Sequence, residues 1–234
     1  MKTKAVRHQT IQTYAACLAA LGAVFAPLGA SADVIRSPTS VISNSAGDYS
    51  ATFSSTNMIN QSGLSVGFTS GVTNFDTYIA SNPTETAYDS NGWDSLPGPT
   101  YPITIGFDMG AVYSLSRLAL WNDASGSTAD TQNFKIYTAS NAAFTGATLV
   151  GSFTNPQGVG GGGQDPATVF DLTLTSARYV ELQIDSNYGN RVATVGELAF
   201  ATNATSVPEP ATLALTLAGV AAVAGIRRRR AATV

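Results

Sequence analysis

Between Ile103 and Ile184, apolar side chains return on every second residue in one short run after another. A chain with that period buries one face as strands, not as helices. Ile103, Ile105 and Phe107 alternate in PITIGFD, Leu118 and Leu120 in SRLALW, and Phe134 and Ile136 in NFKIY. The pattern continues with Phe170, Leu172 and Leu174 in VFDLTL and with Val180, Leu182 and Ile184 in RYVELQI. In VGELAF the spacing from Val195 to Leu198 slips by one, which predicts a bulge. Clusters of Ser, Thr, Asn, Gly and Pro separate the runs, and no window of the body carries a helical stripe. The expectation is an all-β jelly-roll sandwich. The glycine run at 160–163 has no lysine and no helix after it, so it reads as a flexible loop rather than a phosphate cradle.

The two ends read differently from the body. Residues 1–32 have the layout of a signal peptide: Lys2, Lys4, Arg7 and His8, then an apolar stretch, then Ala30-Ser31-Ala32. Pro27 and Gly29 break the stretch, which argues against a permanent membrane helix. Cys17 lies inside the apolar run as filler. At the other end Pro208-Glu209-Pro210 closes a linker (204–210). Sixteen uncharged residues follow (211–226), and the tail (227–234) begins with Arg227, Arg228, Arg229 and Arg230. At about 1.5 Å per residue the apolar segment would span roughly 24 Å as a transmembrane helix, short for a bilayer but workable with local thinning. The arginines would hold that end in the cytoplasm and leave the body on the far side.

Composition removes several function classes. The body keeps five basic residues (Arg36, Arg117, Lys135, Arg178, Arg191) against fourteen acidic ones, a net charge of −9. Such a body is a poor partner for nucleic acid. The single His and the single Cys, His8 and Cys17, both lie in the leader. The mature body therefore has no disulfide, no thiolate nucleophile, no imidazole base and no zinc site of the His/Cys type.

The order Pro-Glu-Pro, short apolar helix, arginine cluster resembles the PEP-CTERM sorting signal of Gram-negative bacteria. The resemblance implies export with help from signal peptidase, a transient inner-membrane anchor, and processing by an exosortase. The final place would be the cell surface, the outer membrane or the extracellular matrix. The body (33–203) resembles the discoidin-like domain, also called coagulation factor type-C or galactose-binding-like. Residues 57–65 (NMINQSGLS) stand at its early loop, Trp93 at its loop tryptophan, and ITIGFDMG (103–110) at its Asp-Leu-Gly strand. FKIYTAS (134–140), ARYVEL (177–182) and VGEL (195–198) match its later strands.

The resemblance implies a structural calcium between the early loop and the last strand, with Asn60, Ser62 and Glu197 as candidate ligands. Asn60 and Gln61 stand where the family usually has Asp and Gly, and each carboxylate replaced by an amide weakens a hard-cation site. Sugar sites need flat apolar faces beside amides, carboxylates and guanidinium groups, carried on loops over a rigid scaffold. The loops offer Tyr88, Asn91, Trp93 and Asp94, then Asn122 and Asp123, then Asn187, Tyr188, Asn190 and Arg191. Trp121, next to strand residues, reads as a plug over the rim, and Arg178 as the structural partner of a carboxylate. The leading expectation is a non-catalytic exported module binding carbohydrate, plausibly exopolysaccharide in a biofilm matrix. The alternative is a structural or adhesive surface protein without a small-ligand site. Acidic pairs such as Asp89 with Asp94 or Asp123 with Asp130 suit glycoside cleavage in principle, but acidic residues are frequent enough here for such pairs to arise by chance.

Overall fold

The computed structural model describes residues 32–85, 91–123, 128–159 and 164–203. The expected signal peptide, the sorting segment and Tyr88 lie outside the described residues. Among those that are described, no helix is long and apolar enough to cross a membrane.

Two long antiparallel strands organise the body. β5 (Ile103–Trp121) and β9 (Thr168–Asn187) pair along most of their length, from Ile103↔Ile184 to Leu120↔Thr168. Their ladder breaks between Asp108 and Tyr113, so each strand serves two half-sheets. In the first half, β2 (Ser40–Asn44) pairs with the early part of β5, and β6 (Thr131–Ala139) pairs with the late part of β9 and with β7 (Thr148–Thr154). In the second half, β11 (Glu197–Asn203) pairs with the late part of β5 and with β1 (Asp33–Arg36). The sequence runs PITIGFD and SRLALW are thus one strand that changes layers.

Ile103, Ile105 and Phe107 of the first half meet Leu118, Leu120, Leu198 and Phe200 of the second in the main core. This is the sandwich that the alternation predicts. Phe134, Phe153 and Phe170 add a ring trio with centroids 5.0–5.3 Å apart, a geometry favourable beyond area burial alone. A smaller core lies on the other side of the second half, where Ile35, Ala119, Trp121, Ala199 and Ala201 are covered by Phe75 and Tyr78. Those two come from α1 (Phe75–Ala80), capped by the Asn74 side chain, which accepts the Thr77 amide. A helix this short carries too few residues to show a stripe in sequence.

Two sequence expectations need correction. Leu174 keeps its alternation yet is exposed, because it lies where the β5–β9 register shifts, between the rungs Leu115↔Thr175 and Arg117↔Asp171. The slip between Val195 and Leu198 is not a bulge inside one strand. Gly196 separates β10 (Thr194–Val195), paired with β4 (Trp93–Asp94), from β11, and its own amide caps the Trp121 carbonyl.

Candidate functional site at the loop rim

All the loops that the sequence marks as interesting come to one end of the sandwich, where β5 ends and β6, β9 and β11 begin. Short ladders fasten them. β3 (Thr84–Glu85) pairs with β8 (Asp165–Pro166), setting Glu85 opposite Asp165. Glu85 is also bridged to Leu64 of the early loop. Thr194 of β10 faces Asp94 on one side and Asp130 on the other. Backbone bonds then tie the outermost loops: Tyr49 to Asp94, Leu96 to Ala46, Ser95 to Ala193, and Gly98 to Arg191.

The expected sugar contacts do not share one fate. Trp93 is completely buried, and its indole N–H donates to Gly47 O and Asp48 Oδ1 at 3.2 and 3.1 Å. It has no open face for a sugar ring, so it is a core residue and not a stacking platform. Trp121 is likewise buried, its indole bonded to Pro83 O. Asn122 is spent on structure: it donates to Pro156 O and accepts from Asn155. Tyr188 is half-buried with its hydroxyl on Asn155 O, and Asn187 ties Asn190 O, Val192 O and the Gly189 amide. Asn190 holds Thr128 and the Val192 amide. Asn91 is half-buried and offers its carbonyl to Ser62. Arg191 is exposed.

One aromatic that the sequence reading missed lies at this rim. Tyr49 is 47% exposed, with its ring held edge-to-face against Phe53 at 5.9 Å. Its signal was hidden because it sits outside any run rich in amides. Leu96, on the loop bonded to the same backbone, is 51% exposed beside it in the fabric of loops.

Beneath this surface the rim is acidic. Glu85, Asp123, Asp130, Asp165 and Glu197 are all buried. Four of the body's five cations are engaged elsewhere, Arg191 being the one at the rim: Arg117 with Asp33 and Asp76, Lys135 with Asp185, Arg178 with Asp108, and Arg36 over the Tyr113 ring. Burial, with the charge of Asp123 beside it, pushes the Glu85 carboxyl up to about 8. Burial raises Glu197 well above the carboxylate range against the opposing effect of the Gln61 amide, and nearby Glu85 adds to it. Asp130 rises to about 7, chiefly by burial, with Asp165 and Asp123 contributing. Burial also raises Asp94, partly offset by its hydrogen bond with Asp123.

Of the expected calcium ligands, Glu197 Oε2 accepts the Gln61 amide at 2.7 Å while Oε1 is buried without a partner. Asn60 is exposed, and its Oδ1 takes the Ser62 amide; Ser62 gives its hydroxyl to Asn91 O. Both polar side chains are therefore engaged locally. Glu85 was not foreseen here. Both its oxygens are buried and unpartnered, and a β-carbon on Gly63 of the early loop would collide with Oε1. Among the described residues no three acidic side chains converge as a preformed metal centre. Orphaned buried oxygens on Glu85 and Glu197 nevertheless fit a hard cation completed by carbonyls and water.

No curated protein matches the sequence. Residues 206–230 match the PEP-CTERM protein-sorting motif. Among solved structures, the C-terminal domain of a Bacteroides fragilis chitobiase superposes with a TM-score of 0.50 at 18% identity, covering 72% of this chain and 97% of that one. The CBM32-1 and CBM32-2 domains of Clostridium perfringens ZmpB give 0.50 at 13% identity, covering 86% of this chain and 41% of theirs. The chain thus joins a PEP-CTERM sorting motif to a body with the jelly-roll fold of CBM32, discoidin-like galactose-binding domains.

Proposed function

We propose that this is an exported, non-catalytic carbohydrate-binding module, delivered through signal peptidase and exosortase and associated with exopolysaccharide at the cell surface. The observation that carries the reading is the rim around Tyr49. A half-exposed aromatic face lies on a loop bonded directly to the segment of Asp94 and Leu96, which is bonded in turn through Gly98 to Arg191. A ring face for pyranose C–H groups with a guanidinium and amides at its edge is what a sugar site requires. Asn190 stands one residue from Arg191 on the same loop. This reading puts the sugar surface on Tyr49, Asp94, Leu96 and Arg191 rather than on Trp93, with Asn190 shaping the loop that carries Arg191.

A glycan array followed by titration of wild type, Tyr49→Ala and Arg191→Ala tests it. Each substitution should weaken binding at least tenfold while leaving the melting temperature unchanged. Glycan binding indifferent to both sinks this site. An array negative for every sugar, with cells lacking the protein still losing cohesion, favours the adhesive alternative.

The orphaned oxygens of Glu85 and Glu197 support a structural calcium in the same rim. When bound, the ion would compensate two buried carboxylates and fasten the 57–65 loop to β11. Comparison of melting in calcium and in chelator, for wild type and Glu197→Gln, checks this: the calcium-dependent gain should shrink in the variant.

A further inference from the structure

A second acidic pair at the rim is built differently from Glu85 and Glu197. Asp130 precedes β6 and Asp165 opens β8, and they are 0% and 3% exposed. One oxygen of each is fixed by the same short backbone segment: the Gly158 amide donates to Asp130 Oδ2 and the Val159 amide to Asp165 Oδ1, both at 2.8 Å. The remaining oxygens, Asp130 Oδ1 and Asp165 Oδ2, are buried and without a partner. A β-carbon on Gly158 would collide with Asp165 Oδ2 and come within 3.0 Å of Asp130 Oδ2. The unpartnered oxygen of Asp165 and the amide-bonded oxygen of Asp130 therefore border one small space beside Gly158.

Two buried carboxylates this close are stabilised by a bound cation or by protonation of one of them, and a cation can satisfy both at once. None of the ion pairs among the described residues includes either side chain. We propose that Asp130 and Asp165 form a binding site for a hard divalent cation of the calcium type, completed by backbone carbonyls and water. Two carboxylates with flexible neutral partners place the affinity at about 10⁻⁴–10⁻³ M, the range of extracellular modules. The ion clamps the segment around Gly158 onto the starts of β6 and β8, and so stiffens the loop rim. The site differs in its ligands from the calcium suggested at Glu85 and Glu197, with Glu85 opposite Asp165 across β3 and β8.

The test uses the full-length chain in detergent, titrated with calcium chloride and with magnesium chloride. Wild type, Asp130→Asn, Asp165→Asn and Glu197→Gln are compared by calorimetry and by thermal melting. Glu197→Gln should retain a calcium-binding step that Asp130→Asn and Asp165→Asn each remove, at a cost of one bound ion per chain. Gly158→Ala, which keeps both acids but puts a methyl group into the space beside them, should remove the same step, and it serves if either amide variant fails to fold. Three results overturn the proposal: unchanged calcium stoichiometry in the Asp130, Asp165 and Gly158 variants; complete loss of calcium in Glu197→Gln alone; or no ion and no melting shift in wild type at about 10 mM calcium, well above the expected affinity.

Discussion

Arg178 grips Asp108 along both edges of its carboxylate, Nε to Oδ1 and Nη2 to Oδ2, each at 2.8 Å. The pair stands at the crossing of β5 and β9 between half-sheets, because Asp108↔Tyr179 is the last rung before the ladder breaks. Asp108 Oδ1 also accepts the Gly110 amide at 2.7 Å, which shapes the turn that follows. The Arg178 hydrogen bonds hold the Asp108 carboxyl below its usual range.

That shift fixes a sign. A carboxyl whose folded pKa lies below its unfolded value near 3.8 stabilises the fold above that value, and the contribution fades as pH falls through the folded pKa. Asp108→Asn should therefore lower stability at pH 6 and lower it by less at pH 3. Denaturant melts of wild type and variant at both pH values check this. A penalty that persists undiminished at low pH would show that shape, not charge, is what matters at the crossing.

The rim acids act in the opposite direction. Glu85, near 8, and Asp130, near 7, bind protons more tightly when folded than when unfolded. Between about pH 4.5 and 7 the native state thus carries extra protons, and stability falls as pH rises. With one to two such protons the slope is on the order of 1–3 kcal/mol per pH unit in chelator. Calcium, by compensating the ionised forms, should flatten it. Thermal melts at pH 5 and pH 7.5, with and without calcium, measure both effects. Equal melting at the two pH values in chelator would contradict the burial of uncompensated acids.

Trp93 and Tyr49 separate folding from recognition. Trp93→Ala empties a fully buried site and removes the indole hydrogen bonds to Asp48 Oδ1 and Gly47 O, at a cost of about 3–5 kcal/mol. Tyr49→Ala removes a half-exposed ring and should cost no more than about 0.5 kcal/mol. Urea unfolding of the two variants side by side should give that ordering. Comparable losses would mean that Tyr49 is part of the core packing.

The scaffold was legible because its signal is local. Ile103, Ile105, Phe107, Val180, Leu182 and Ile184 alternate in sequence, and every one is buried in the main core. Arg178 was readable as a carboxylate partner because a basic residue in a strand so short of cations has acidic neighbours to choose from. Trp93 misled because its loop is polar; the groups that satisfy its indole lie 45 and 46 residues away. The acidic rim was illegible for the same reason. Glu85 meets Asp165 across β3 and β8, and Glu197 reaches back 136 residues to the Gln61 amide. Single acids in turn-rich loops look solvated until the ladders that bury them are known. Leu174 shows the converse: alternation reports a face only while the register holds, and the β5–β9 register shifts at Leu174.

The C-terminal motif makes a prediction that does not depend on the body's ligand. Residues 206–230 match the sorting motif, and Arg227, Arg228, Arg229 and Arg230 close it. Positive residues just past an apolar segment hold that end on the cytoplasmic side, so the arginines would keep Pro208-Glu209-Pro210 on the outer face, where the processing enzyme would act. Intact-mass measurement of the surface form should find a C-terminus near that tripeptide, with the apolar segment and arginines gone. Replacing the four arginines with alanine should weaken that retention and leave an unprocessed precursor in the membrane fraction. A surface form that still carries all four arginines would make the motif a plain anchor and remove exosortase processing from the account.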